Sequence, residues 1–255
     1  MLRGPVQPRG EAPVDPSEEA RARRYYDAFA ESYEAHRDGR SRYHDLLDAL
    51  EIDLATPYVR EREVLEVGCG TGLILRRLAG VAARAVGVDL SPGMLARARA
   101  RGLEVHEGSA TSLPFADGSF DVAVSFKTLP HVPDLPRALA EMARVVRPGG
   151  VLIAELYNPR SLRRLAKRAL PPGRVGAGTE RDVYVRFDDR RALERALPRG
   201  CTIERARGIR TLVPVAAALE VPFVGAALAA MERRVADTTF AVRLGGFVAW
   251  VIRRR

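Results

Sequence analysis

The 255 residues are 47% hydrophobic, enough to bury a substantial core, and the length suits one large α/β domain. The net charge of +9 is concentrated: residues 157–210 hold 15 Arg and Lys against 6 Asp and Glu, while the rest balances at 26 against 26. All but Lys127 and Lys167 of the 41 basic residues are arginine, a skew that base composition alone can produce. A solvated basic surface is therefore expected, with recognition of an anionic substrate, membrane or nucleic acid as the alternative. Cys69 and Cys201 are too few for a disulfide framework and suit a reducing, cytoplasmic setting.

The opening "MLRGPVQPRGEAPVDPSEEA" has Pro5, Pro8, Pro13 and Pro16 but no apolar run of the kind a signal peptide or anchor needs. It reads as a disordered lead-in over residues 1–17, followed by a single domain over 18–255. Residues 18–50 read as a helical cap, with Ser17 as N-cap and Tyr25, Phe29, Tyr33 and His36 at helical spacing.

Five short β-like runs follow, at 63–67, 84–89, 103–107, 120–125 and 150–157. Helix-period segments separate them, the last being "DLPRALAEMARVVRPGG", closed by Pro148 and Gly149. Alternating strands and helices predict a parallel sheet covered on both faces. Past residue 157 the rhythm breaks. A helix and a Gly/Pro-rich loop are expected up to 190, then the helix "DDRRALERAL" and the strand "TIERARGI". The apolar stretch 211–235, broken by Pro214, Glu220 and Pro222, reads as two short amphipathic helices before a closing strand near 246–253.

The segment "VLEVGCGTG" at 64–72 runs a strand into a glycine-rich turn and then a helix. Such a turn presents backbone N–H groups and a helix N-terminus to a ligand, and glycine permits close approach. Leu73 stands where a dinucleotide fingerprint has its third glycine, which disfavours a nicotinamide cofactor and an oxidoreductase. Glu66 puts an acid near the loop, better suited to a ligand amino group than to a pyrophosphate. Asp89, 21 residues after Gly68, stands where a carboxylate accepts hydrogen bonds from ribose hydroxyls. The competing role for Asp89, capping the helix at "SPGML", is one that Ser91 already offers.

Taken with "EGSATSLPFADGSFDVAVSF" and "ALAEMARVVRPGGVLIAE", these pieces resemble the class I S-adenosylmethionine-dependent methyltransferases, in particular the small-molecule, type 11-like group. The resemblance runs over residues 60–157. It implies a Rossmann-like, seven-stranded, mostly parallel sheet with an antiparallel last strand, helices on both faces and helical lid insertions at 157–190 and 209–243. It also implies that Gly68, Cys69, Gly70 and Gly72 surround the methionine part of the cofactor. Asp89 with Leu90 and Met94 would hold the ribose side, and Ser109, Ala110 and Thr111 would border the adenine. Glu66, Ser125 and Tyr33 complete the cofactor set. Many relatives have Asp where Ser109 stands, so here the contact is expected from the backbone of Ala110 and Thr111.

Methyl transfer from a sulfonium is an in-line displacement that chiefly needs alignment and exclusion of water, and a base is optional. Candidate catalytic residues are His131, in the loop after the fourth strand, with Tyr33 and His36; for His131 a structural bond to the backbone is the competing role. Lys127 is expected to be a solvated lysine, with an acidic substrate group as its alternative partner. Tyr25 and Phe29 are expected to pack on the sheet. The two insertions suggest a greasy lid with an arginine rim, suited to an amphipathic or aromatic small-molecule acceptor, and a peripheral membrane contact is compatible with it. A nucleic-acid acceptor is disfavoured because "SFKT" stands where base-methylating enzymes have a "DPPY"-like tetrad. A binding protein that has lost catalysis is the remaining alternative. No metal-ligand set is read, and the oligomeric state is not legible.

Overall fold

The computed structural model describes residues 16–31, 33–37, 41–162, 164, 174–175, 178–179, 184–213 and 215–255. The expected lead-in and most of the expected helix and loop of 157–190 lie outside the described residues. The cap is formed by α1 (Pro16–Phe29), a 3₁₀ turn (Tyr33–His36) and α2 (Arg42–Val59), so helical structure starts earlier and runs nine residues beyond the expected end at 50. Then come β1 (Glu63–Val67), α3 (Leu73–Ala79), β2 (Arg84–Asp89), α4 (Pro92–Ala100), β3 (Glu104–Glu107), β4 (Phe120–Ser125), α5 (Leu135–Val145) and β5 (Val146–Tyr157). After a two-residue ladder of β6 (Arg174–Val175) and β7 (Gly178–Thr179) follow α6 (Arg190–Ala196), β8 (Cys201–Ile209), a 3₁₀ turn (Ala216–Leu219), α7 (Val224–Val235), α8 (Thr239–Leu244) and β9 (Phe247–Arg254).

The main sheet has seven strands in the order β3-β2-β1-β4-β5-β9-β8. Strands β1 to β5 pair in parallel, and β9 is antiparallel to both β5 and β8. One boundary is corrected. "VRPGG" does not finish α5 but opens β5, because Pro148 cannot continue a helix and Phe120 pairs with Val146 while Val122 pairs with Val151. Residues 147–150 are thus an irregularity in the ladder rather than a helix end.

Side chains alternate across the sheet. Leu65, Val67, Val86 and Ala123 join Leu135, Leu139 and Met142 of α5 on one face. Val64, Val122, Val124 and Ile153 join Leu46, Leu50 and Leu54 of α2, with Ile74 and Leu78 of α3, on the other. Each fully buried Leu contributes about 1.5–3 kcal/mol relative to an exposed one, which is why two such layers hold the strands in register. Strand order reverses between β1 and β4, so the loops leaving their carboxyl ends diverge and open a crevice.

Helix α1 lies over α4 and is tied to it by Asp27. Its Oδ1 accepts from Ser91 Oγ at 2.6 Å and from Gly93 N at 3.0 Å, while Ser91 Oγ caps α4 by accepting from Met94 N. Desolvation opposes ionisation of Asp27, but the Ser91 and Gly93 donors outweigh it and hold the carboxyl below the usual aspartate range. A lowered folded-state value means that this tie stabilises α1 above the unfolded value and is lost as pH falls through the folded one. Asp27→Ala is expected to speed hydrogen exchange across 16–29 selectively, with a global urea-unfolding loss of about 1 kcal/mol. Faster exchange spread evenly over the sheet would contradict this assignment.

Candidate functional site

The loop after β1 is built to be bare. Gly68 N and Cys69 N both donate to Val88 O, at 2.7 and 3.0 Å, folding the turn against β2. Gly68 has φ +76 and stands against Thr128, whose side chain a Cβ would meet at 2.2 Å; Thr128 Oγ1 in turn donates to Gly68 O at 3.1 Å. The loops after β1 and β4 therefore interlock through a residue that has to be glycine. Gly70, at φ +53, is the opposite case, since a Cβ there would meet nothing within 4 Å.

Above these loops lies a cavity of about 950 Å³. Glu66, Gly68, Cys69 and Gly70 wall it from the β1 loop, and Asp89, Leu90 and Met94 from the β2–α4 junction. Ser109, Ala110 and Thr111 border it after β3, while Tyr33 and His131 also line it. Three expected residues are placed differently. Gly72, at φ +81, does not line the cavity but starts α3 against Leu103 and Ala98. Ser125 is fully buried in β4 and does not line the cavity; its hydroxyl donates to Val67 O at 2.9 Å, clamping β4 to β1. For His36 only the backbone, in the 3₁₀ turn, is described.

Asp89 is braced from both sides, with Oδ2 accepting from Gly70 N at 2.8 Å and Oδ1 from Ser91 N at 2.9 Å. A carboxylate offers about four lone-pair sites, so these backbone donors leave capacity for a ligand hydroxyl. Burial raises its value despite the backbone donors. In the third loop Ser109 Oγ lies 2.8 Å from Thr111 Oγ1 and accepts from Thr111 N at 3.2 Å. The Thr111 N–H expected to reach a ligand is thus already taken.

The floor of the cavity is polar, and the sequence reading did not see it. Lys127, expected in solvent, is corrected: at φ +58 its Nζ reaches Asp48 Oδ1 and Glu51 Oε2, each at 2.9 Å. Arg37 is buried, donating to both Asp48 oxygens at 2.8 and 3.1 Å and to Tyr33 Oη at 3.1 Å. Burial works against the Lys127 charge, but Glu51 and Asp48 outweigh it and keep the ammonium charged. Burial likewise opposes Asp48, whose carboxyl Lys127 and Arg37 nonetheless hold low. Glu66 and Glu155 stand differently: burial first, and the Glu51 charge second, push both well above the carboxylate range. Glu66 Oε2 has no hydrogen-bond partner among the described residues.

The other wall is aromatic. Tyr25 and Phe29 do not pack on the sheet as expected; they line the cavity with Tyr33, Phe29 meeting Tyr33 edge-on at 5.4 Å. Tyr26, Phe126, Tyr157, Phe187 and Phe247 also line it. His131 sits among them, 6.3 Å from the Tyr26 ring and 5.6 Å from the Tyr157 ring. Its Nδ1 is 2.9 Å from Tyr184 O, an acceptor only, so this nitrogen carries the proton and Nε2 is left as acceptor, 3.3 Å from Tyr157 Oη. Burial lowers the His131 value, so the ring is neutral. Burial raises Tyr33 and Tyr26, so both phenols stay protonated and act as hydrogen-bonding groups rather than bases. Tyr26 and Tyr157 follow from no motif, only from where α1 and β5 end. Of the arginines in the basic segment, Arg186, Arg190, Arg205 and Arg207 are ion-paired with Asp188, Glu194 and Asp237.

Comparison with known proteins places this geometry. Residues 65–154 match the family model of a methyltransferase domain. Over 131 residues the chain is 40% identical to the demethylmenaquinone methyltransferase of Mycolicibacterium vanbaalenii, covering 48% of this chain and 57% of that one. Over 105 residues it is 38% identical to the malonyl-[acyl-carrier protein] O-methyltransferase of Serratia marcescens, covering 40% and 41%. The chain spans about half the length of these curated relatives. The solved S-adenosylmethionine-dependent methyltransferase of Thermotoga maritima, a possible histamine N-methyltransferase, superposes with a TM-score of 0.64 at 22% identity. That likeness of fold covers 91% of this chain and 99% of that one. The family match falls on the strands and loops that build the cavity, and residues 65–154 carry a methyltransferase domain in a fold shared with S-adenosylmethionine-dependent methyltransferases.

Proposed function

We propose that the protein transfers the methyl group of S-adenosylmethionine to a small, largely apolar aromatic acceptor at a ring hydroxyl or an activated ring carbon. The observation that carries this reading is the two-sided cavity, bare loop and acids on one side and an aromatic wall around a neutral histidine on the other. The cofactor fits the residues present. Gly70 leaves open space where any other residue would put a Cβ, Asp89 keeps acceptor capacity for a ribose hydroxyl, and the unpartnered Glu66 oxygen suits an ammonium group. When bound, S-adenosylmethionine supplies an electrophilic methyl on a cationic sulfur. This chain contributes binding, orientation, exclusion of water by α1 and acceptance of a proton at His131 Nε2. The relative named for methylating demethylmenaquinone supports an aromatic acceptor of that kind, as does the aromatic lining.

The direct test is formation of S-adenosylhomocysteine with a panel of quinol, phenol, amine and acyl-carrier acceptors. Turnover with quinols or phenols is expected; turnover confined to amines or acyl carriers would overturn the acceptor class.

In titration calorimetry, Asp89→Ala is expected to weaken cofactor binding by roughly 1.5–3 kcal/mol through lost hydrogen bonds to a charged group. Unchanged affinity would remove Asp89 from the site. Because the raised Glu66 carboxyl must ionise to meet a ligand cation, affinity is expected to rise as pH climbs through that raised value, with proton release on binding. Calorimetry in buffers of different ionisation enthalpy reads the proton count. Proton uptake, or release unchanged in Glu66→Gln, would refute the role. His131→Ala is expected to lower kcat by about 10²–10⁴ while leaving the cofactor Kd unchanged. As the His131 value is lowered from 6.5, wild-type activity should persist below that pH before the ring protonates.

A further inference from the structure

The segment after β8 carries a feature that the methyltransferase reading does not use. Between the 3₁₀ turn and α7, Val224 N donates to Pro222 O at 2.7 Å, closing a three-residue turn centred on Phe223. Phe223 has φ 61 and ψ −48, the strained γ-turn geometry that a bulky L residue rarely adopts. Its side chain is 90% exposed. What forces the turn outward is Gly225, which is buried so tightly that a Cβ would lie 2.0 Å from Leu219 O. With the chain pinned there, the aromatic ring points away from the protein.

Phe223 stands among further exposed apolar residues of the same segment. Val215, Val221, Val224 and Met231 are exposed, as are Ala227 and Ala230 on the same face of α7. Exposed apolar side chains gathered in one segment are the kind of feature that marks an interaction site. At the far end of α7, Arg233 and Arg234 are exposed and make no ion pair among the described residues. The neighbouring acids are engaged: Glu232 is buried on Thr211 N and Leu212 N, Asp237 pairs with Arg205 and Arg207, and Glu220 accepts from Arg42 N.

We propose that this surface docks on an anionic lipid bilayer, with Phe223 and its apolar neighbours entering the interface and Arg233 and Arg234 meeting the headgroups. The charge pattern favours lipid over a second copy of the chain. A two-fold contact would bring the same patch against itself, arginines included, with only the exposed Glu220, held by one backbone N–H, near enough in the chain to offset them. The proposal does not depend on which acceptor the cavity takes.

The test is co-sedimentation of the full chain with vesicles of phosphatidylcholine alone and of phosphatidylcholine containing phosphatidylglycerol. The expected result is binding to the anionic vesicles at least ten times tighter than to the neutral ones, weakened at least tenfold by Phe223→Asp and reduced by Arg233→Ser with Arg234→Ser. Phe223→Trp supplies a conservative second reading, because the native Trp250 is buried and constant. Its emission should shift to the blue on adding anionic vesicles. Absence of wild-type binding, binding indifferent to Phe223→Asp, or a dimer in sedimentation velocity that Phe223→Asp dissolves would each overturn the proposal.

Discussion

The divergence of two loops at the β1/β4 boundary is the constraint on which the site depends. Parallel strands on either side of that boundary send their connections to opposite faces, so a crevice opens at the carboxyl edge whatever the sequence does next. What this chain adds is the clamp across it. Ser125 ties β4 to β1 below, and Thr128 packs onto Gly68 above. The two loops cannot part or shift in register without breaking both, and this rigidity lets Asp89 hold Gly70 N and Ser91 N at once.

The same constraint explains what could be read in advance. Strands β1, β2 and β4 were legible to the residue because each is a short apolar run between turn signals, buried on both faces. The glycine loop and Asp89 were legible because backbone geometry leaves few residue choices there. The end of α5 was not, since a Pro-Gly-Gly sequence after a helix signals a stop equally well whether a loop or a bulged strand follows. Pairing with Phe120 and Val122, which decides the matter, is a long-range fact. Family resemblance added the cofactor set but misplaced Ser125, whose hydroxyl is consumed within the sheet.

The acceptor side was the least legible. Lys127 next to Thr128 reads locally as a loop lysine, and only the packing of α2 against the sheet brings Asp48 and Glu51 to it. Within α2 those two acids lie three residues apart, a spacing that serves a solvated face as readily as a buried one. Tyr26 carried no signal either, because α1 has to be docked by Asp27 before any of its faces can be called inner. In each case the missing information was tertiary, and the residue was unremarkable until its partner from another element was known.

Burying Lys127, Arg37 and Asp48 with Glu51, Glu66 and Glu155 under the cavity is costly. Isolated from function, such a cluster is often no more stabilising than apolar side chains of the same volume. It lies under the cavity, where the cationic ligand proposed above would complete it. Two cations stand against four acids, and Glu66 and Glu155, whose values are raised furthest above the carboxylate range, can remain neutral while no further positive charge is present. In the proposed complex a ligand carrying positive charge would favour the ionised Glu66, and deprotonating a group that the fold holds neutral would cost part of the binding free energy below the raised value. Cofactor recognition and the stability of the α2–β5 floor are thereby coupled through one set of carboxyl groups.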